Sequence, residues 1–501
     1  MGLKSLCFCS VACLIVCTAG CGSGQTSPLV GNVSATANPQ VAVYSVSTSA
    51  PGDVSVQFGL DTNYGLTTST QPSTQGGMTN LLVAGMKAST LYHMRAVVQF
   101  TDGTQFFDND HSFTTGAVDP KQTPTITATT TPGMTPQSGV ELLDLIGGNS
   151  RPAIADLDGN VLWTYDGVPN GTMPNPIKLI PNGHFLINFS VGTVDGLNSV
   201  IQEVDLSGTL IWQMTAADLN TALAAATCTG CNITVVGTHH DFALLPNNHL
   251  IVIAAVQKVI SGTTVTGDVI IDLDENHKPV WLWNEFDHLD VNRHPMDFPD
   301  WTHTNAILYS PDDGNLIVSM RHQNWLVKVD YANGTGAGDI LWKLGYQGDF
   351  ELVGGTDPTD WFYAQHGPSF ATANTTGQFS LMLFDNGDDR VFPSGVTCGT
   401  SEAPPCLYST VSLLQLDETT KTATLAFNPT TPTYSFFGGN AALLKNGNVE
   451  YCEAAGGPGT AGVIYEVTQD SSAQTVWQMQ VTGQYVYRGQ RISSLYPGVQ
   501  W

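Results

Sequence analysis

The chemistry in this chain gathers in five short segments, each placed just before or at the start of a predicted strand. They are His239-His240-Asp241, Trp301-Thr302-His303-Thr304-Asn305, Gln365-His366-Gly367, Gly438-Gly439-Asn440 and Arg488-Gly489-Gln490. One more cation ends a neighbouring strand, in Ser319-Met320-Arg321-His322-Gln323. Imidazoles and a guanidinium brought to one point make an anion site. Arg321 stays charged and offers a planar fork of donors, while ring nitrogens and the Asn305 amide donate further hydrogen bonds. A neutral imidazole is also a nucleophile, and a nearby guanidinium favours the neutral form by opposing a second positive charge. A single histidine beside a strand is ordinary. Three at the same register of different repeats (His239, His303 and His366) point to one centre. Either His239 or His240 faces it, and register with His303 favours His239.

Residues so far apart converge only if repeated elements carry them. From about residue 150 one hairpin recurs: a β run, an Asp, a turn, then a run bearing Trp. It is Ile154 to Trp163, Val204 to Trp212, Ile270 to Trp281, Val327 to Trp342 and Ile464 to Trp477, with a looser copy lacking the Trp at Leu414 to Phe427. Between these lies a second hairpin with an Asn/Gly turn, as in Ile177 to Ile187, Phe242 to Val252, Ala306 to Val318 and Ala441 to Val449, with a longer version between Pro368 and Phe384. Two alternating hairpins per repeat predict four-stranded blades. The hairpin at 154–165 has no partner before it, and the run at Gln490 to Tyr496 has none after it. Together they predict a blade joining both ends of the chain, which removes exposed sheet edges. The expected fold is all-β: a six-bladed β-propeller over residues 139–501, whose first strands line a channel and deliver the histidines to one mouth. Helical periodicity is nearly absent, with 215–226 the best exception.

Ahead of this domain, residues 41–115 alternate short β-rich runs with turns, as in Val54 to Phe58, Tyr92 to Val98 and Phe113 to Thr115. They predict a small β-sandwich, and Met86 to Tyr92 with Arg95 resembles the last two strands of fibronectin type III domains. Residues 22–40 read as a flexible spacer and 116–138 as a linker. Residues 1–21 read as a targeting segment: Lys4, an apolar run from Leu6 to Ala19 too short to span a bilayer, then Thr18-Ala19-Gly20-Cys21. Small residues before a cysteine resemble a bacterial lipoprotein signal. Cys21 is then the lipidated residue, and the expected location is the periplasmic or cell-surface side of a bacterial membrane. Disulfides are permitted there. Cys398 and Cys406 bracket a Pro-containing loop and are expected to pair. Cys228 and Cys231 read as a loop clip rather than a zinc or redox site, and Cys452 as a buried free thiol.

The tip motifs resemble the bacterial arylsulfate sulfotransferases that work without the nucleotide sulfate donor PAPS. The resemblance rests on Asp300 to Ala306, Ser319 to Gln323, Gln365 to Gly367 and Leu383-Phe384-Asp385-Asn386-Gly387-Asp388-Asp389-Arg390, and runs from about residue 140 to the end. It implies ping-pong transfer of a sulfuryl group from a phenolic sulfate ester to another phenol. His366 would be the nucleophile that becomes sulfated, with His239, His303, Asn305 and Arg321 holding the sulfuryl oxygens and His240 beside them. Charge on those oxygens repels a nucleophile, so fixed donors must offset it. The resemblance implies no metal, ATP or other cofactor, small-molecule phenols and aryl sulfate esters as partners, membrane contact through a lipid anchor alone, and allows a homodimer.

Composition narrows the alternatives. With 17 basic and 43 acidic side chains the formal net charge is −26, so nucleic acid, whose phosphates it would repel, is not an expected partner. No P-loop or dinucleotide glycine pattern occurs. Two other readings use the same histidines: a metal-dependent propeller lyase or hydrolase, against which Arg321 argues by repelling a cation, and a non-catalytic cell-surface binding propeller.

Overall fold

Burial with a period of two makes strands of most of this chain; Ala42–Ser47, for example, buries every second residue. The computed structural model describes residues 30–121, 123–147, 150–191, 196–390, 392, 407–456 and 461–496. Cys21, Cys398 and Cys406 lie outside the described residues. The described chain is all-β and its sheets are mainly antiparallel. The one helix of length, Ala216–Ala225, falls where the sequence predicts it. It begins in a capping box in which Thr215 and Asp218 each bond the other's backbone N–H.

Six sheets make up the larger part. Sheet 1 holds Met173–Leu179, Phe185–Ser190, Val200–Val204 and Leu210–Thr215. Sheet 2 holds Gly237–Leu244, Leu250–Ile260, Thr263–Leu273 and Pro279–Asn284. Sheet 3 holds Thr304–Ser310, Asn315–Met320, Trp325–Val329 and Ile340–Leu344. Sheet 4 holds His366–Phe370, Gln378–Asp385, Thr410–Asp417 and Thr422–Phe427, with Glu351–Val353 added in parallel. Sheet 5 holds Asn440–Leu443, Val449–Glu453, Ala461–Val467 and Thr475–Thr482. Sheet 6 begins with the C-terminal strand Tyr485–Ile492, which pairs with Val140–Ile146, then Arg151–Ala155 and Val161–Thr164. The first strand of each sheet contacts the first strand of the next, and that of sheet 6 contacts that of sheet 1.

The repeated Trp has a structural task. In four of the five repeats its indole N–H donates to the following sheet: Trp163 to the Leu206 carbonyl, Trp281 to that of Gly336, Trp342 to the Glu418 carboxylate and Trp477 to the Leu157 carbonyl, at 2.8–3.1 Å; Trp212 instead stacks on His277 of the next sheet at 3.8 Å. The four donating rings are also buried, so every such contact joins a large apolar burial to a satisfied donor.

The N-terminal part forms two sheets, one of Val30–Ala35, Ala42–Ser47 and Met78–Val83, the other built on Gly52–Gly59 and Leu91–Phe100. Their core of Tyr44, Val56, Phe58 and Met94 is continuous with Leu142, Ile154 and Trp163 of sheet 6. Gln40 Nε2 donates to the Val161 carbonyl at 2.7 Å and the Tyr496 hydroxyl to that of Leu82 at 3.0 Å, tying the two parts together. Two boundaries need correction. Part of the stretch expected as a spacer, Val30–Ala35, is an edge strand paired in register with Ala42–Ser47. Part of the expected linker, Thr125–Thr130, pairs with Thr475–Thr482 and covers the outer edge of sheet 5. Both are Thr/Ser/Asn/Gly-rich and half exposed, so they lack the apolar alternation that marks a strand; backbone pairing to an open edge holds them. Cys228 and Cys231 form a disulfide, and the Cys452 thiol is buried and free.

Candidate active site

In five of the six sheets the first strand is irregular at the same end, whereas that of sheet 5 pairs without a break. Pairing with the second strand skips between Thr238 and Phe242 in sheet 2, between Thr304 and Ala306 in sheet 3, and between His366 and Ser369 in sheet 4. In sheet 6 it skips past Tyr487 and Arg488. A bulge re-aims side chains out of the sheet's alternation, and these bulges contain or flank the residues singled out by their chemistry. His240 and His303 have φ of 59° and 49°, a left-handed backbone that costs a β-carbon residue on the order of 1–2 kcal/mol. Gly367 has φ of 48°, and a Cβ there would lie 2.4 Å from that of Asn440, so only glycine lets the first strands of sheets 4 and 5 approach.

His366 is 2% exposed. Its Nδ1 meets two oxygens, Asn386 Oδ1 at 2.6 Å and the Ala364 carbonyl at 3.2 Å. Asn386 is oriented by its own donors, since Nδ2 donates to the carbonyls of Ser435 at 2.7 Å and Gly438 at 3.0 Å. Oxygen therefore faces the imidazole, Nδ1 carries the hydrogen, and the lone pair of Nε2 is free. Burial, with the charges of Arg321 and Arg488, holds this ring well below the usual imidazole range, so it is neutral at pH 7.

The guanidinium of Arg321 donates through Nη1 to His322 Nε2 at 2.6 Å and through Nη2 to Asp388 Oδ2 at 2.6 Å and the Phe436 carbonyl at 3.3 Å. Its buried Nε–H has no partner among the described residues, which leaves a charged donor uncommitted. Asp388 also accepts from the Tyr434 hydroxyl at 2.8 Å, and burial pushes its carboxyl up to about 6. His322 donates from Nδ1 to the Asp300 carbonyl at 2.7 Å and accepts Arg321 on Nε2, so it is neutral and fully used. His303 stacks on it at 4.4 Å and donates from Nδ1 to Asp300 Oδ2 at 2.6 Å. Burial pushes Asp300 up to about 6 and, with His322 and Arg321, drives His303 well down.

On the far side, the His240 ring lies 4.7 Å from His303 and 5.9 Å from Tyr487, and Tyr487 lies 6.1 Å from His366. His240 is thus the member of the pair that faces this centre. His239 is turned behind it, Nδ1 to Nδ1 at 2.7 Å, with Nε2 on Asp268 Oδ1 at 2.9 Å. Register favoured His239; the bulge at 239–241 overturns that by swinging His240 inward. Arg488 binds the Asn305 carbonyl at 2.8 Å and pairs with Asp241 at 3.3 Å. Asn305 spends an Nδ2 hydrogen on the Gln365 carbonyl at 2.7 Å, fixing the segment that carries His366, and its buried Oδ1 has no partner among the described residues.

The structure therefore brings His240, His303, His366, Arg321 and Asn305 together and sets His239 one contact behind. Four contributors were missed: Asn386, Asp388 and Asp300, which sit inside the quoted motifs, and Arg488, noted at its strand start. Asp268 carries no local signal. Ligand atoms of Asp300, His303 and His322 lie within 4.8 Å of one another. His322 has no lone pair left for a cation, however, and a guanidinium rests on it. A cleft of about 730 Å³ lined by Asp313, Lys328 and Glu418 lies elsewhere, and its lysine is neutralised by both acids.

Solved structures share little with this chain. A Bacteroides caccae protein of unknown function is 13% identical with a TM-score of 0.42, over 70% of this chain and 98% of that one. A Lactobacillus plantarum protein is 13% identical with a TM-score of 0.37, over 88% and 99%. An apocarotenoid oxygenase of Synechocystis is 13% identical with a TM-score of 0.30, over 93% and 95%. At these scores none carries an argument about fold or chemistry. No curated protein matches the chain. The model of the family Arylsulfotransferase (ASST) matches residues 129–488, a span that contains every residue of the centre described above. The chain belongs to the arylsulfotransferase (ASST) family.

Proposed function

We propose that the protein transfers a sulfuryl group between phenols by a ping-pong route through a sulfated His366, at the mouth of a six-bladed β-propeller made of sheets 1 to 6. The observation that carries the reading is the His366 tautomer. Asn386 holds the hydrogen on Nδ1, and Nε2 keeps its lone pair in a neutral ring.

The chemistry follows from the surroundings. Nε2 attacks sulfur, the N–S bond forms, and the S–O bond to the phenol breaks. A second phenol then takes the sulfuryl group and restores the lone pair. Charge on the sulfuryl oxygens is met by the uncommitted Nε–H of Arg321 and by the field of Arg488. The partners of Nδ1 sort the histidines. A neutral amide stabilises an imidazolium less than a carboxylate does, so burial and the arginine charges keep His366 a neutral nucleophile. The Asp300 carboxylate stabilises a cation on His303 more, which suits that ring, when protonated on Nε2, to donate toward the sulfuryl oxygens. Membership of the family supports an aryl substrate, and the small N-terminal sandwich is proposed to be a fibronectin type III-like support for sheet 6. Export and lipidation at Cys21 complete the reading, with the acceptor chemistry outside the cytoplasm.

The test is transfer itself. Protein lacking residues 1–21 should release 4-nitrophenolate from 4-nitrophenyl sulfate at a rate that rises with added phenol and is unchanged by EDTA. Release that EDTA abolishes, or that ignores phenol, overturns the proposal.

A further inference from the structure

The contact between His239 and His240 is unusual because both rings meet through Nδ1, at 2.7 Å, and a hydrogen bond between two ring nitrogens needs one proton between them. Asp268 fixes where the others lie. Its Oδ2 accepts from the Thr304 backbone N–H at 2.7 Å and the Thr302 hydroxyl at 3.0 Å, so it is an ionised acceptor, and His239 Nε2 at 2.9 Å from Oδ1 must donate. In the neutral pair His240 then holds its hydrogen on Nδ1 and presents a bare Nε2 to the site. A proton arriving at that Nε2 need not stay there. The Nδ1 hydrogen shifts to His239, which becomes an imidazolium bonded at both nitrogens, and His240 is left neutral with an Nε2–H.

We propose that Asp268, His239 and His240 form a proton relay in which His240 Nε2 protonates the departing phenolate and deprotonates the accepting phenol, while His239 carries the charge against Asp268. The inference rests on the sulfuryl-transfer reading and deepens it. His240 is the catalytic residue; His239 and Asp268 position and load it.

The surroundings decide where the charge goes. His240 is buried and faces His303, His366, Arg488 and the Tyr487 ring, so burial and the Arg488 charge oppose a cation on it. His239 faces Asp268, with Asp300 nearby and Glu285 beyond Asp268. Asp241 follows His240 in the chain but is paired with Lys178 at 2.6 Å and Arg488. One ring's displacement therefore moves the cation from a positive setting to a negative one. The steps balance. As the S–O bond breaks, the Nε2 proton goes to the phenolate oxygen and the shared hydrogen returns to His240 Nδ1. The acceptor's proton reverses both shifts.

Two measurements test this. His239→Asn keeps an oxygen for His240 Nδ1–H to donate to, but cannot take up a proton. Its kcat/KM for phenyl sulfate should fall roughly 100-fold, while that for 4-nitrophenyl sulfate, whose leaving group needs little protonation, should change less than about threefold. Equal losses with both donors, or none with either, overturn the relay. Ring ¹⁵N spectra of the native protein across pH provide the second readout and do not depend on turnover. His239 Nδ1 and His240 Nε2 should gain hydrogen in one event, whereas a doubly protonated His240 overturns the relay. If the native protein transfers no sulfuryl group, the functional reading fails and the spectra still decide the relay.

Discussion

Replacing Asn386 by alanine separates the tautomer argument from plain stability. The amide makes three buried hydrogen bonds: one from His366 Nδ1–H, and two to the carbonyls of Ser435 and Gly438. After removal Ser435 keeps only the Ser409 hydroxyl at 3.5 Å, and Gly438 loses its side-chain donor. Each unsatisfied buried carbonyl costs about 1–3 kcal/mol, so the variant should lose roughly 2–6 kcal/mol of stability. The His366 bond contributes about 0.5–1.5 kcal/mol net, and without it the ring keeps only the Ala364 contact at 3.2 Å, so the Nε2–H tautomer competes. At 1.4 kcal/mol per tenfold, the first-turnover release of nitrophenolate should slow about tenfold. The control is Asn315→Ala. Asn315 Oδ1 accepts from the backbone N–H groups of Tyr331 and Ala332 at the strand end remote from His366, so its loss costs similar stability without touching the site. Both variants would be assayed where circular dichroism shows them folded. A native first-turnover rate in Asn386→Ala, or an equal loss in Asn315→Ala, would refute the reasoning.

Arg321→Lys replaces a fork that binds His322 and Asp388 together with a single point charge, so kcat/KM should fall roughly 100-fold; steady-state rates within about threefold of native would count against the role. Asp144 is fully buried and accepts the Ile177 N–H at 2.8 Å, and burial pushes it up to about 7. Its folded value lies above its unfolded one, so the burden on stability builds as pH rises from about 4 to 7. Asp144→Asn keeps the acceptor and should stabilise by a few kcal/mol at pH 8 and by less at pH 5 in urea unfolding; a gain that grows on acidification would contradict this. Gly367→Ala places a Cβ 2.4 Å from that of Asn440 at a φ of 48° and should cost about 3 kcal/mol or more, read as a lower urea midpoint at unchanged slope.

The sheets were legible because their alternation and Trp spacing recur. Trp163, Trp281, Trp342 and Trp477 repeat as they do because each must reach the next sheet. The strands Val30–Ala35 and Thr125–Thr130 were not legible, since edge pairing asks little of side chains. His366, the proposed nucleophile, stood out through its register with other histidines. Its orienting partner Asn386 did not, although it lies within a recognisable motif, because nothing in a sequence tells which asparagine turns its oxygen to a ring. His239 and His240 exchanged places for a related reason: a bulge shifts inward-facing positions by one residue, and strand periodicity does not register it. Asp268 sits in the third strand of sheet 2, far in sequence from any tip motif, and only the assembled sheet brings it to His239.

The most direct test of the central claim is to trap the intermediate. Native protein would be mixed with excess 4-nitrophenyl sulfate without a phenol acceptor, quenched under alkaline conditions that spare N-sulfated histidine, and mapped by peptide mass spectrometry. The account predicts one sulfuryl group, on His366, formed with a stoichiometric burst of nitrophenolate and discharged by added phenol. A burst with the group on another residue, or turnover that leaves His366 unmodified, would contradict it.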